Sequence, residues 1–340
     1  METARSKLLI EYNGVEATDI IANDSTSFTW TDNASGSADT LTINLKNEDQ
    51  KWMNGFFPSD EDTLKAWIQL EEWPADYRQG KIYCGTFQVD SLSYGGFPNT
   101  ATLSGISVPT GDNFNVKQKN RTWNKTTIKT VFNDIASDSG IALVFDAEDM
   151  SIESVSQSGK TDLSFIYSLG SEYGLAVKLY NDKLVVYDLT RYEAAPARYD
   201  INYSQLGGSG SYSIKKNNTK KCNSVKIQYT SDKKTLSYEY TIPGTSGNRQ
   251  IFISSKAETY SDAEIKAKAA LRKNIRESTT ITLNMVGSAK YVAADCFNLV
   301  GFGKLDGKYF IDSVTHTRSG GKYTITVSYT HLTLPTKLEV

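Results

Sequence analysis

The chain has 340 residues, a formal net charge of −2, 39% hydrophobic residues and 11% aromatics. At roughly 100–150 residues per domain this suggests two to three domains with real cores, and the scattered, balanced charge argues against a nucleic-acid binder, which needs a basic face. Cys84, Cys222 and Cys296 are single and far apart, without the spacing of a disulfide scaffold or a zinc site.

The opening residues Met1–Ser6 are polar, so no cleaved leader is expected. No apolar run approaches the roughly 20 residues of a membrane helix, so no membrane insertion is expected. The first hundred or so residues read as strands. An Asn13-Gly14 turn follows "KLLIEY", and "SFTWT", "DTLTINLKN", "LKAWIQLEEW", "KIYCGTFQVDSLSY" and "TATLSGISV" alternate apolar and polar residues. Short strands at this spacing suggest a sandwich or barrel over residues 1–112.

Residues 113–190 change period. Ile128, Val131, Phe132 and Ile135 form one helix face, with Gly140 placed as a C-terminal glycine and a strand after it. The plan repeats 34 residues later: Val131 falls on Phe165, Phe132 on Ile166, Ile135 on Leu169 and Gly140 on Gly174. Two tandem helix-glycine-strand units suggest a small α/β domain, closed by a hairpin turn at Asn181-Asp182.

Residues 191–327 return to strands. The run Lys215-Lys216 with Lys220-Lys221 reads as a solvated loop. "NSVKIQY", "LSYEYTIP" and "RQIFIS" precede one helix, "SDAEIKAKAALRKNIRES", whose start is marked by a Ser261–Glu264 capping box. Its apolar stripe of Ile265, Ala269, Leu271 and Ile275 is expected to lie on a barrel wall. "TTITLNM", "CFNLVGF", "GKYFIDSVTHT" and "KYTITVS" follow.

Two of these strands carry nearly one phrase, "GTFQVDSLS" from Gly85 and "GKYFIDSVT" from Gly307. Phe87 and Val89 alternate with period two, but the next apolar residue, Leu92, comes three positions on. The same slip separates Ile311 from Val314. A phase slip of this kind is what a β-bulge produces, at Asp90-Ser91 and at Asp312-Ser313. Each phrase follows an apolar strand and precedes a glycine turn. The fold class expected is therefore a β-rich α+β chain: two versions of one small β-barrel flanking the α/β domain, with residues 85–104 superposing on 307–326.

The stretch "LVGFGKLDGKYFIDSVTHTRSGGKYTITVS", the alanine-rich helix before it and the strand-helix-strand middle resemble the phage late-control protein D family. Its members are baseplate hubs of contractile phage tails and related injection systems. The resemblance implies a homotrimeric ring in the baseplate of a virion tail or injection system, made in the cytoplasm of a bacterial host. Each subunit would offer two tail-tube-like barrels, so that three subunits present a pseudo-sixfold surface to the hexameric tail tube protein. A trimeric spike protein and other baseplate proteins would be the further partners, and no cofactor is implied. The last residues, "VSYTHLTLPTKLEV", fit poorly and resemble translated adapter sequence. A non-native tail is expected over residues 328–340, in which His331 carries no meaning.

Constellations for catalysis are thin, and no enzyme, catalytic residue, cofactor site or metal site is expected. His316 and His331 are too few for a Ser-His-Asp system or a histidine metal site. "SGKT" at Ser158–Thr161 imitates a phosphate loop, but Ser154 stands where a glycine is required. "SDKK" from Ser231 reads as a turn, and Glu71-Glu72 and Glu148-Asp149 as acidic loops. Trp73, Tyr77 and Trp123 sit in loop-like context, where they serve as interface anchors, sugar platforms or lids on the core. The alternatives to a hub are a carbohydrate-binding or cell-wall-degrading tail component and an unrelated all-β surface module.

Overall fold

The computed structural model describes residues 5–331, apart from 60, 74–79, 110–111, 207–209, 232–233 and 246–248. Tyr77 and residues 332–340 therefore lie outside the described residues.

The first region runs β1 (Arg5–Tyr12), β2 (Val15–Glu16), α1 (Thr18–Asp24), β3 (Ser25–Asn33), β4 (Thr40–Lys46), β5 (Thr63–Glu71), β6 (Gly80–Gly95) and β7 (Thr100–Ile106). Alternation makes these strands. In β4, Leu41, Ile43 and Leu45 are buried and the intervening Thr and Asn point away from the core. Asn13 and Gly14 both have positive φ, as a tight hairpin turn requires.

The middle region holds α2 (Asp112–Asn115), β8 (Lys119–Thr127), α3 (Ile128–Asp138), β9 (Ala142–Asp146), β10 (Ser151–Lys160), α4 (Asp162–Tyr173), β11 (Leu175–Tyr180), β12 (Lys183–Asp188) and α5 (Leu189–Ala194). The repeat is longer than its apolar pattern suggests, because each unit begins with a strand. β8-α3-β9 and β10-α4-β11 correspond, with N-cap hydroxyls at Thr127 and Thr161. β8 and β10 pair antiparallel with Thr122 opposite Ser156, its own equivalent, and their hydroxyls lie 3.0 Å apart. The two units are thus related by a local twofold through that pair. β12 sits between β11 and β9, and Asn181 and Asp182 both have positive φ in the turn before it. Ile128, Val131, Phe132, Ile135, Phe165, Ile166 and Leu169 all belong to one buried core.

The last region runs β13 (Asp200–Asn202), β14 (Ser211–Lys216), β15 (Ser224–Ser231), β16 (Lys234–Thr241), β17 (Gln250–Ile253), α6 (Tyr260–Glu277), β18 (Thr279–Val286), β19 (Cys296–Val300), β20 (Gly307–Ser319) and β21 (Lys322–His331). Three expectations change here. β15, β16 and β17 are not barrel strands: they form a separate three-stranded sheet, order β16-β15-β17, with its own core under α6. α6 does not lie on a barrel wall. Ala263, Ala267, Leu271 and Ile275 face that small sheet, while Ile265 packs on the core of the middle region. Its cap is Thr259, whose hydroxyl accepts from the Asp262 backbone at 3.1 Å, two residues before the expected Ser261. The helix starts earlier because the Thr259 hydroxyl satisfies a first-turn N–H, and Tyr260 in that turn stands edge-on to Tyr238.

The remaining strands form one sheet in the order β14-β18-β21-β20-β3-β4-β7-β6-β5-β1-β2, with β19 on β20 and β13 on β19. The two expected barrels are thus joined edge to edge through β3 and β20, over one continuous core. The ladder also runs through Ser328. Tyr329 pairs with Ile311 and Ile281, is 1% exposed and tilts against Phe297 at 4.2 Å, so the strand expected to end near residue 327 continues.

Candidate functional site

The two halves of the large sheet follow one plan. The first half stacks β3-β4-β7-β6-β5-β1 and the second β14-β18-β21-β20-β19-β13, and both visit these places in the same chain order. They differ where β1 meets β5 antiparallel but β13 meets β19 parallel. An insertion of β15, β16, β17 and α6 separates β14 from β18.

The repeated phrase occupies the same place in each. The β6–β7 ladder slips between Val89 and Ser91, and the β20–β21 ladder slips between Ile311 and Ser313. Asp90 and Asp312 are the extra residues, and the apolar face stays inward across each slip: Phe87 and Val89 are buried, as are Tyr309, Ile311 and Val314. Gly85 (φ 131°) and Gly307 (φ 154°) both hold backbone conformations that a side chain disfavours. The expected gapless superposition needs one change. β6 maps to β20 at an offset of 222 but β7 to β21 at 224, because β20 and β21 extend by two more pairs before a two-residue turn at Gly320-Gly321. In the first hairpin four residues, Gly96–Asn99, close the turn.

The joint between the halves carries a buried polar site. β3 and β20 pair from Ser27 with Ser319 to Asn33 with Ser313. On the inner face Trp30 stacks on His316, centroids 4.6 Å apart, and His316 Nδ1 shares a 2.6 Å hydrogen bond with the Tyr323 hydroxyl. Burial lowers the imidazole pKa to about 4 although Asp32 lies nearby. His316 is a neutral core side chain.

The middle region plugs into the same joint. Lys178, on β11, donates to Asp32, to the Asn33 carbonyl at 2.7 Å and to Asp39 at 3.2 Å. Asp32 also accepts from the Ala293 backbone at 3.0 Å, and Asp39 from the Asn33 backbone at 2.8 Å. Burial raises the Asp39 pKa to about 7 against the pull of Lys178. Burial works against the Lys178 charge, but Asp39 and Asp32 outweigh it and raise its pKa. The cluster fixes the α/β region to the sheet. Nothing in the sequence marked it, since Lys178 lies 146 and 139 residues along the chain from Asp32 and Asp39.

The other candidates are placed as follows. Trp73 is buried against Tyr323, and its indole N–H donates to the Gly287 carbonyl at 2.7 Å, which makes it a lid on the core. Trp123 is half-buried, stacked on Phe165 at 5.6 Å, with its N–H donated to Asp134. Thr161 of "SGKT" caps α4, and Lys160 donates to Ser168. Asp149 accepts from the Lys129 backbone. Cys84, Cys222 and Cys296 are free thiols. Among the described residues no group of three or more His, Cys, Asp and Glu side chains is arranged to hold a metal ion, and no helix is long and apolar enough to cross a membrane.

No family model and no curated protein matches the sequence. Solved structures do match its fold. A tail protein from Neisseria meningitidis aligns over 96% of this chain and 97% of its own, with a TM-score of 0.71 at 15% identity. The 43 kDa tail protein of prophage MuSo2 from Shewanella oneidensis covers 95% and 98%, at 0.67 and 11% identity. A prophage tail protein from Listeria monocytogenes covers 95% and 94%, at 0.61 and 14% identity. The chain has the fold of these tail proteins. The likeness spans nearly the whole of each partner, so this tail-protein fold includes the middle region and the inserted sheet as well as the two halves.

Proposed function

We propose that the chain is a structural hub of a phage tail or related injection system, a homotrimer in the baseplate that adapts a trimeric spike to the hexameric tail tube. The observation that carries this reading is the doubled half-sheet. Three chains with two like halves each offer six similar units, which is the number a hexameric tube requires of its platform. The fold shared with tail proteins supports the same reading. The mechanism is geometric: the halves provide the quasi-sixfold platform, the Lys178 cluster holds the middle region at a fixed angle to it, and no bond is made or broken.

Oligomeric state tests the proposal. Light scattering and negative-stain imaging of the chain, alone and mixed with the tube and spike proteins of its own particle, should find a ring of three chains. A hub contact should bury more than about 1,000 Å² and so survive dilution. A chain that stays monomeric in both samples would overturn the hub.

A further inference from the structure

The joint between β3 and β20 is made once inside each chain, yet the chain carries the parts for a second one. β14 holds in the second half the place that β3 holds in the first. Through the ladders, Phe28 corresponds to Tyr212, Trp30 to Ile214 and Asp32 to Lys216. β6 beyond its bulge, Ser91–Gly95, corresponds to the stretch of β20 that receives β3, with Leu92 for Val314 and Tyr94 for His316. Among the described residues β14 pairs only with β18, and Ser91–Gly95 only with β7.

Burial separates the made joint from the open one. In the made joint Phe28, Trp30, Val314 and His316 are at most 5% exposed. At the open edges Tyr212 is 47% exposed, and Ile214, Leu92 and Tyr94 are only half-buried. The same apolar face is present at both edges with thinner cover: Phe57 stacks on Tyr94, and Tyr203 and Phe302 meet Tyr212 edge-on, but among the described residues no strand pairs with either edge. An edge strand with free backbone groups and a wet apolar face is a template for another strand.

We infer that β14 of one copy of this chain adds to the Ser91–Gly95 edge of the next copy, reproducing the β3–β20 joint between chains. The internal register carries over. Antiparallel pairing sets Ser213 opposite Gly95, Ile214 opposite Tyr94, Lys215 opposite Ser93 and Lys216 opposite Leu92. Ile214 on Tyr94 then takes the place of Trp30 on His316. The contact is head-to-tail, since donor and acceptor edges are different surfaces, and such contacts either close into rings or run on as filaments. A ring of three chains contains six like joints, three within chains and three between them. The inference deepens the hub reading and rests on it for the threefold closure.

Lys215 and Ser93 share the solvent face of the joint, where directly opposed Cβ atoms lie about 4.5–5.5 Å apart and a disulfide is within small adjustments. The test is the full chain with Lys215→Cys and Ser93→Cys, in a Cys222→Ser background, oxidised mildly at high protein concentration. Non-reducing gels should show most of the protein linked in species of up to three chains, and each single-cysteine variant should stay at one or two. The register control, Lys215→Cys with Leu92→Cys, places the thiols on opposite faces and should link at least about tenfold less, as a side chain one position along points the other way. Circular dichroism checks that each variant is folded. Folded trimers by light scattering without the 215–93 link overturn the joint and leave the hub standing. Links that run past three chains support the joint and overturn the closed ring. A folded monomer that never links overturns both.

Discussion

Acid should loosen the internal joint through His316. The ring is buried between Trp30 and Tyr323, and its pKa falls from 6.5 to about 4. The unfolded chain takes up a proton near 6.5 and the folded chain only near about 4, so stability is lost as pH falls through that window and levels off below it. Between about pH 7 and about pH 5 the linkage amounts to about 2 kcal/mol for this one group. The assay is urea unfolding followed by tryptophan fluorescence, to which Trp30 contributes, for the native chain and for His316→Gln. Asp39, whose pKa burial raises to about 7, titrates in both chains, so the difference in pH slope isolates the imidazole. The native chain should lose about 2 kcal/mol more than the variant on acidification. Equal losses in the two chains would refute the account of a neutral histidine held in the joint.

Other outcomes follow from the same contacts. Tyr329→Ala removes a buried ring and should cost about 3–5 kcal/mol, and deleting residues 329–340 should lower the melting temperature by many degrees; an unchanged midpoint by calorimetry would mean the strand ends before Tyr329. Lys178→Met leaves Asp32 and Asp39 buried without their cation, which should cost about 3–5 kcal/mol. Adding Asp32→Asn and Asp39→Asn should recover part of that loss, and a triple variant no better than the single one counts against an electrostatic origin. Gly85→Ala and Gly307→Ala should each cost about 1–3 kcal/mol in chemical denaturation because of their positive φ, and a neutral result at either would remove the strain argument. Peptidoglycan zymograms should show no clearing by the native chain; a zone abolished by changing one carboxylate would make it an enzyme.

Local signals were readable because they obey short-range rules. The period-3.6 face from Ile128 to Ile135, its echo 34 residues on, the turns at Asn13-Gly14 and Asn181-Asp182, and the bulges at Asp90 and Asp312 all follow from which way successive side chains point. The correspondence of "GTFQVDSLS" with "GKYFIDSVT" was legible for the same reason, since alternation with one slip leaves a mark in nine residues. What the chain does with those pieces was not legible. β15, β16 and β17 form their own sheet, whose apolar face is buried under α6, a tertiary contact that alternation along the strands does not specify. α6 buries residues on two faces, a choice that a single apolar stripe does not reveal. Lys178 meets Asp32 and Asp39 only because β11 docks on the joint, so the buried charges have no pattern along the chain. Strand pairing is the deepest such case: an edge like β3 fits any strand of matching alternation, and burial of Trp30 against His316 is what selects β20.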